Sequence, residues 1–182
     1  MATVTEKTAI PTGVWKSDPV HSTVGFSVKH MVVATFRGSF TDFGVTLDNS
    51  GGEPVLYGAV RVDSVDARDE NLKGHLLAPD FFDAEKTPEI RFTSTDIRTE
   101  GDELVVDGEL EIKGTSRPVV ARGTIVGPVE NIAGKEGVGI DLSTTVDRRE
   151  YGLNWNAPLP KGGFAVENEV TLHVHLELAK EE

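Results

Sequence analysis

The sequence predicts an all-β fold, an eight-stranded antiparallel up-and-down barrel with a short helical insert. Two observations carry that expectation. Apolar and polar residues alternate with a period of two through most of the chain, and Gly, Pro, Asn and Asp punctuate the alternation at turns. About eight such runs can be counted, a number at which a sheet closes on itself, and 182 residues suit one barrel better than two domains.

After a flexible leader at 1–13, a single barrel domain is expected over 14–180. The runs fall at 14–30, 36–48, 55–66, 89–98, 103–113, 119–126, 137–147 and 168–179. The first should be interrupted at Asp18-Pro19, because proline cannot donate to a sheet ladder. In the second, Phe36, Gly38 and Phe40 share one parity while Phe43, Val45 and Leu47 take the other, so a bulge is expected near Thr41-Asp42. Between the third and fourth runs, "DARDENLKGHLLAPDFFDAEKTP" breaks the alternation. There Asp69 is placed to cap a short helix carrying Leu72, His75, Leu76 and Leu77, which Pro79 should end. Phe81 and Phe82 then anchor a second turn. The last run, "VTLHVHLEL", sets His173 and His175 on one face and Val170, Leu172, Val174, Leu176 and Leu178 on the other. The histidines belong to the outer wall. Zinc would need a third and usually a fourth ligand converging from elsewhere, and no metal is expected.

Charge and composition narrow the function. A net charge of -12 opposes broad binding to nucleic acid or anionic membranes, and an anionic ligand would need a local basic pocket. The absence of cysteine removes disulfides, thiolate metal sites and cysteine nucleophiles. The stretch "MATVTEKTAIPTGVW" has neither a basic n-region nor an apolar h-region, and no apolar run approaches a membrane span. A cytoplasmic protein without stable membrane insertion is therefore expected.

Gly38, Gly58 and Gly108 interrupt the apolar face of three runs, where glycine either bends a strand or leaves space. An eight-stranded barrel is large enough for side chains to fill it or for one small ligand to occupy it. Catalytic patterns are thin: there is no phosphate-cradling glycine motif, nucleophile elbow or metalloprotease helix motif. Arg148-Arg149 beside Tyr151-Gly152 offers either a bidentate anion contact or a solvated turn. His30 and His75 are placed either to donate to a head group at the barrel mouth or to satisfy a backbone carbonyl.

Four segments, "SDPVHSTVGFSVKHM" with "FRGSFTDFG", "HLLAPDFFDAEKTPEIRFTST", "VDGELEIKGTSRPVV" and "DRREYGLNW", together resemble the YceI family of lipocalin-like, polyisoprenoid-binding proteins. They occur in the family's order. The resemblance implies an antiparallel barrel with a helical segment beside it, a homodimer, and a long apolar tunnel for a lipid tail. His75, Phe81, Phe82, Arg148 and Gly152 match motif positions, whereas Leu72-Lys73 replaces the family's common Arg-Asp.

The expected function is non-catalytic binding, carriage or sequestration of a polyisoprenoid or similar long amphiphilic lipid, with no cofactor and no nucleic-acid partner. Candidate ligand-binding residues are Phe26, Val28, His30, Phe36, Phe40 and Val60 from the first three runs, with His75, Phe81 and Phe82 from the insert. Phe92, Leu110, Leu142, Arg148 and Tyr151 follow, then Trp155, Phe164, Leu172 and Val174. Two alternatives stand beside it: an enzyme acting on a hydrophobic substrate, metal-assisted through histidines, and a barrel whose interior is filled.

Overall fold

Strand pairing runs as one continuous sheet. The computed structural model describes residues 9–182, with β1 at Gly13–Ser17, β2 at Thr23–His30, β3 at Ala34–Phe40, β4 at Phe43–Asn49 and β5 at Val55–Arg61. After the two-residue β6 (Val65–Asp66) and helix α1 (Glu70–Leu77) come β7 (Glu89–Glu100), β8 (Glu103–Ile112), β9 (Thr115–Glu130), β10 (Glu136–Asp147) and β11 (Val166–Lys180). The order β1-β4-β5-β7-β8-β9-β10-β11 closes through a β1–β11 pairing, which makes an eight-stranded antiparallel barrel. β2, β3 and β6 continue the sheet from the N-terminal half of β11.

The extra strands are segments of the runs seen in the sequence. β11 pairs β1 through Leu178↔Ser17 and β2 through Thr171↔Ser27, so β1 and β2 are one long strand broken across Asp18–Ser22. The break at Thr41-Asp42 divides β3 from β4 and lets Phe40 and Leu47 both be buried despite opposite parity. A 3-10 turn at Val62–Ser64 similarly divides β5 from β6.

α1 is capped by Asp69, whose side chain accepts from the Leu72 amide at 2.8 Å, and Ala78 ends it just before Pro79. Its Leu76, and Phe81 beyond it, are buried against Phe40, Val60, Leu110 and Val146 of the barrel. Lys113 fastens the connection by donating to the Pro79 carbonyl at 2.7 Å.

Residues 9–13 correct the expectation of a leader extending to residue 13; residues 1–8 of that leader lie outside the described residues. Pro11 is buried, Ile10 packs on the core, and the Asn49 amide donates to the Ile10 and Pro11 carbonyls at 3.1 and 3.3 Å. Trp15, 1% exposed, draws this segment in, because its indole nitrogen donates to the Thr12 carbonyl at 3.2 Å.

One end of the barrel is solid. Trp15, Leu47, Leu104, Val106, Val138 and Leu178 interdigitate there, each at most 1% exposed. The other end is hollow.

Candidate functional site

A cavity of about 600 Å³ occupies that second half, within the range of small-molecule sites. Leu56, Leu142 and Leu176 of the packed cluster form its floor. Its wall is the inward parity of the strands, including Phe26, Phe36, Phe92, Leu172 and Val174, and its cover is α1 with the segments that follow β6 and β10. The inward wall residues are only half-buried because the space in front of them is empty.

Two aromatic groups shape the space. Phe26 lies 6.1 Å from Phe36 and 5.8 Å from Phe40, ring centre to ring centre, and Phe40 meets Phe82 edge-on at 6.1 Å. Under α1, the His75 ring stands edge-on to Phe81 at 4.8 Å and to Trp155 at 4.7 Å. His75 is thus held by aromatic packing, as part of the wall.

Two of the inward glycines keep the space open indirectly, by making room for a neighbouring ring. A Cβ on Gly38 would sit 2.5 Å from the Phe26 ring, and one on Gly108 would sit 2.4 Å from the Phe92 ring. Each ring lies down over a glycine and so stays against the wall. Gly58 instead admits the backbone of β4, since a Cβ there would be 2.6 Å from the Gly44 carbonyl oxygen.

Arg148 is neither the anion fork nor the solvated turn that the sequence offered. It is 6% exposed, and its guanidinium donates to the carbonyls of Glu167 (2.9 Å), Leu153 (2.6 Å) and Trp155 (2.8 Å), with Val166 at 3.4 Å. It pins the segment that closes the cavity to the start of β11. Burial lowers its pKa, although four carbonyl dipoles solvate the charge. Arg149 is exposed and spent on Asp147, which it holds through Nη2 at 2.6 Å. Between them, a 3-10 turn at Arg148–Tyr151 ends on Gly152 in the left-handed region, φ 76°.

Tyr151 is buried, with a phenol that has no hydrogen-bond partner among the described residues; burial pushes its pKa up to about 12, so it stays neutral.

Seventeen of the eighteen candidate ligand-binding residues line this cavity. Phe164 is the exception and a correction. It sits on an exposed turn bridged to Pro158 and is 58% exposed, outside the cavity. Ile90, Ile112, Ala121 and Val146 also line the space and escaped the sequence reading, though they share the two-residue parity of Phe92, Leu110, Val119 and Leu142. His173 and His175 face outward, the first bonded to Ser27 Oγ at 3.1 Å and the second paired with Asp141. Among the described residues neither belongs to a group able to share a cation. Such a group does form on the outer face of the sheet from Asp18, His21 and Glu177, where His21 Nδ1 already lies 2.8 Å from the Asp18 carboxylate.

Residues 15–178 match the family model of the YceI-like domain. The UPF0312 protein SERP2314 of Staphylococcus epidermidis is 30% identical over 89% of this chain and 95% of its own length. Among solved structures, BcnA of Burkholderia cenocepacia superposes with a TM-score of 0.74 at 24% identity, covering 88% of this chain and 98% of that one. A polyisoprenoid binding domain from Saccharophagus degradans superposes with a TM-score of 0.63 at 9% identity, covering 94% of this chain and all (100%) of that one. The barrel, its helical insert and the match across 15–178 agree: the chain belongs to the YceI family.

Proposed function

We propose that the protein binds a polyisoprenoid or similar long amphiphilic lipid in the barrel and carries or sequesters it without chemistry. The observation that carries this reading is a preformed, half-empty apolar cavity whose lining contains no Asp or Glu. Its titratable lining residues are cations, histidines and one neutral phenol, with no carboxylate in the wall to orient a histidine as a base. The polyisoprenoid-binding description of the Saccharophagus neighbour supports the same ligand class.

Energetics favour a long tail. Burying a CH₂ group contributes about 0.8 kcal/mol, so ten such groups give roughly 8 kcal/mol. Association costs about 4–15 kcal/mol, which a short tail does not clearly exceed. A rigid, already open cavity reduces the ordering part of that cost.

Native mass spectrometry of the purified chain, repeated after organic extraction, tests the proposal. A single long apolar adduct is expected, and it should vanish in Phe36→Asp and Leu172→Asp, which place a carboxylate on the wall. A bare protein under conditions that retain added isoprenoid, or unchanged uptake by folded variants, would overturn it.

A further inference from the structure

The cavity has a mouth, and the mouth has an unusual edge. Between β2 and β3 the chain turns through Met31, Val32 and Val33, three consecutive apolar residues that are 41%, 57% and 86% exposed. Phe164, 58% exposed, lies between Gly163 and Ala165, the two residues that approach this turn. The Met31 amide donates to the Ala165 carbonyl at 2.8 Å, His30 pairs with Val166, and a Cβ on Gly163 would lie 3.3 Å from Val32 Cγ2. His30, Met31, Ala165 and Val166 line the cavity, so the patch is its rim.

The turn is also strained. Met31 and Val32 hold φ of 51° and 66°, the left-handed region that a β-branched residue disfavours most and where Gly or Asn would sit more easily. An apolar, strained, exposed turn opposes both solubility and local stability, the combination that accompanies a contact surface.

Charge identifies the contact. Residues 19–41 and 151–166, which supply this rim, contain no Asp or Glu in a chain that has 30. They contribute Lys29, Arg37 and Lys161, none of which forms an ion pair among the described residues. A comparable apolar patch at the packed end, Val126, Val129 and Ile132, is instead flanked by Glu130 and Glu136. Among the described residues, the rim is the apolar patch whose own segments carry cations and no carboxylate, with Glu150 and Glu167 bordering the second segment.

We propose that this rim docks on a bilayer surface carrying anionic headgroups, with Met31, Val32, Val33 and Phe164 reaching the acyl boundary and Lys29, Arg37 and Lys161 at headgroup level. The cavity mouth then opens onto the bilayer, and a lipid tail enters or leaves without crossing water. The net charge of -12 repels the molecule as a whole from such a surface, but every carboxylate lies outside the segments that supply the rim, so the repulsion acts on the rest of the chain and leaves the rim as the approaching end. The purpose of docking rests on the lipid-binding reading; the docking itself is measured separately.

The test is cosedimentation of the full chain with vesicles of phosphatidylcholine, or of phosphatidylcholine with phosphatidylglycerol, beside solution binding of the cavity dye N-phenyl-1-naphthylamine. Wild type should pellet with the anionic vesicles, and less so at high salt. Val32→Gly with Val33→Ser should lower partitioning by about tenfold, while keeping dye binding and an equal or higher Tm because the strain is relieved. Arg37→Gln with Lys161→Gln should abolish the salt-sensitive part, and Ile132→Ser should change nothing. Wild type that ignores both vesicles, or tip variants that bind like wild type, would overturn the proposal. So would a wild-type dimer that the tip variant splits, without vesicle binding, since the patch would then cover a second copy. Dye binding lost in every form while vesicle binding follows the pattern would remove the cavity reading and leave docking intact.

Discussion

At one end of the barrel Trp15 is 1% and Leu178 0% exposed; at the other, Phe26, Phe92 and Val174 stand half-uncovered around empty space. The same strands build both ends: β11 contributes Leu178 to the packed half and Val174 to the hollow one. What differs is side-chain volume at inward positions. Trp15, Leu47, Leu104 and Val106 fill the first, whereas Gly58 and Ala121 line the second, and Gly38 and Gly108 lie beneath the Phe26 and Phe92 rings, which rest over them instead of reaching across. The comparison separates two tasks within one alternating pattern. The packed half supplies stability and the hollow half gives some of it up to keep a cavity open.

The largest expected effect tests that division directly. Trp15→Ala should cost about 3–5 kcal/mol, since a buried indole leaves a void in a close-packed cluster. Phe92→Ala should cost less than about 3 kcal/mol, because one side of its ring already faces empty space and few contacts are lost there. Denaturant unfolding of both variants decides; equal costs would mean the two ends are equally packed.

Adding volume should give the same ranking of the two ends by the opposite route. Val138→Phe, in the packed cluster, should destabilise by about 1–3 kcal/mol through overpacking. Val174→Phe points into the cavity and should cost less than about 1 kcal/mol. It should nonetheless cut dye and lipid uptake, because the ring occupies the ligand's space. A Val174→Phe protein that binds like wild type would show that the cavity extends further than its present walls.

The strands, their parity and a change of parity at Thr41-Asp42 were legible because a period of two leaves a direct trace in the sequence, although what was expected there as a bulge is a break between β3 and β4. So were the Asp69 cap and the outward placement of His173 and His175. The two ends of the barrel were not told apart, since inward Leu and inward Phe read alike until cross-strand partners are known. Nor does the sequence show that Phe26 rests on Gly38, a contact made across the β2–β3 pairing. Arg148 was named as a candidate, but its role in pinning the closing segment escaped for a related reason: its partners are backbone carbonyls, which carry no residue-type signal. Phe164 was misplaced because an aromatic residue near a strand reads as core, although the Pro158–Phe164 bridge holds it on an outer turn. The basic, apolar rim did leave a signal, the run of 19–41 without a carboxylate, visible only when charge is counted by segment.

A smaller effect concerns the cover of the hollow half. Asp69→Ala removes the acceptor for the Leu72 amide and should destabilise by about 1 kcal/mol. Because Leu72, His75 and Leu76 of α1 line the cavity, fraying of its first turn should also speed ligand release. Hydrogen exchange at residues 70–73 checks the first outcome and dye dissociation the second. Release unchanged with a frayed first turn would show that α1 covers the cavity without gating it.

The smallest expected effect lies on the packed half, at the break between β1 and β2. Asp18 accepts from the Val20 amide at 2.8 Å and pairs with His21, while its own amide donates to the Glu177 carbonyl. The hydrogen bond to Asp18, then the charges of Asp18 and Glu177, raise the His21 pKa above its ordinary 6.5. A raised histidine contributes stability that is fully present below the ordinary value and lost as pH rises through the raised one. The hydrogen bonds from His21 and Val20 lower the Asp18 pKa from 3.8, so its contribution is present above 3.8 and lost as pH falls through the lowered value. The pair therefore supports the strand break most between those limits. Both side chains are solvated, so the effect should be a small Tm difference between wild type and His21→Asn, present near pH 5 and lost as pH rises through the raised His21 value. A difference that persists unchanged at alkaline pH would assign His21 a packing role instead of a charge, and the break in the first strand would then be held by the Asp18–Glu177 backbone bond and by Ser22, whose Oγ accepts from the Glu177 amide at 3.0 Å.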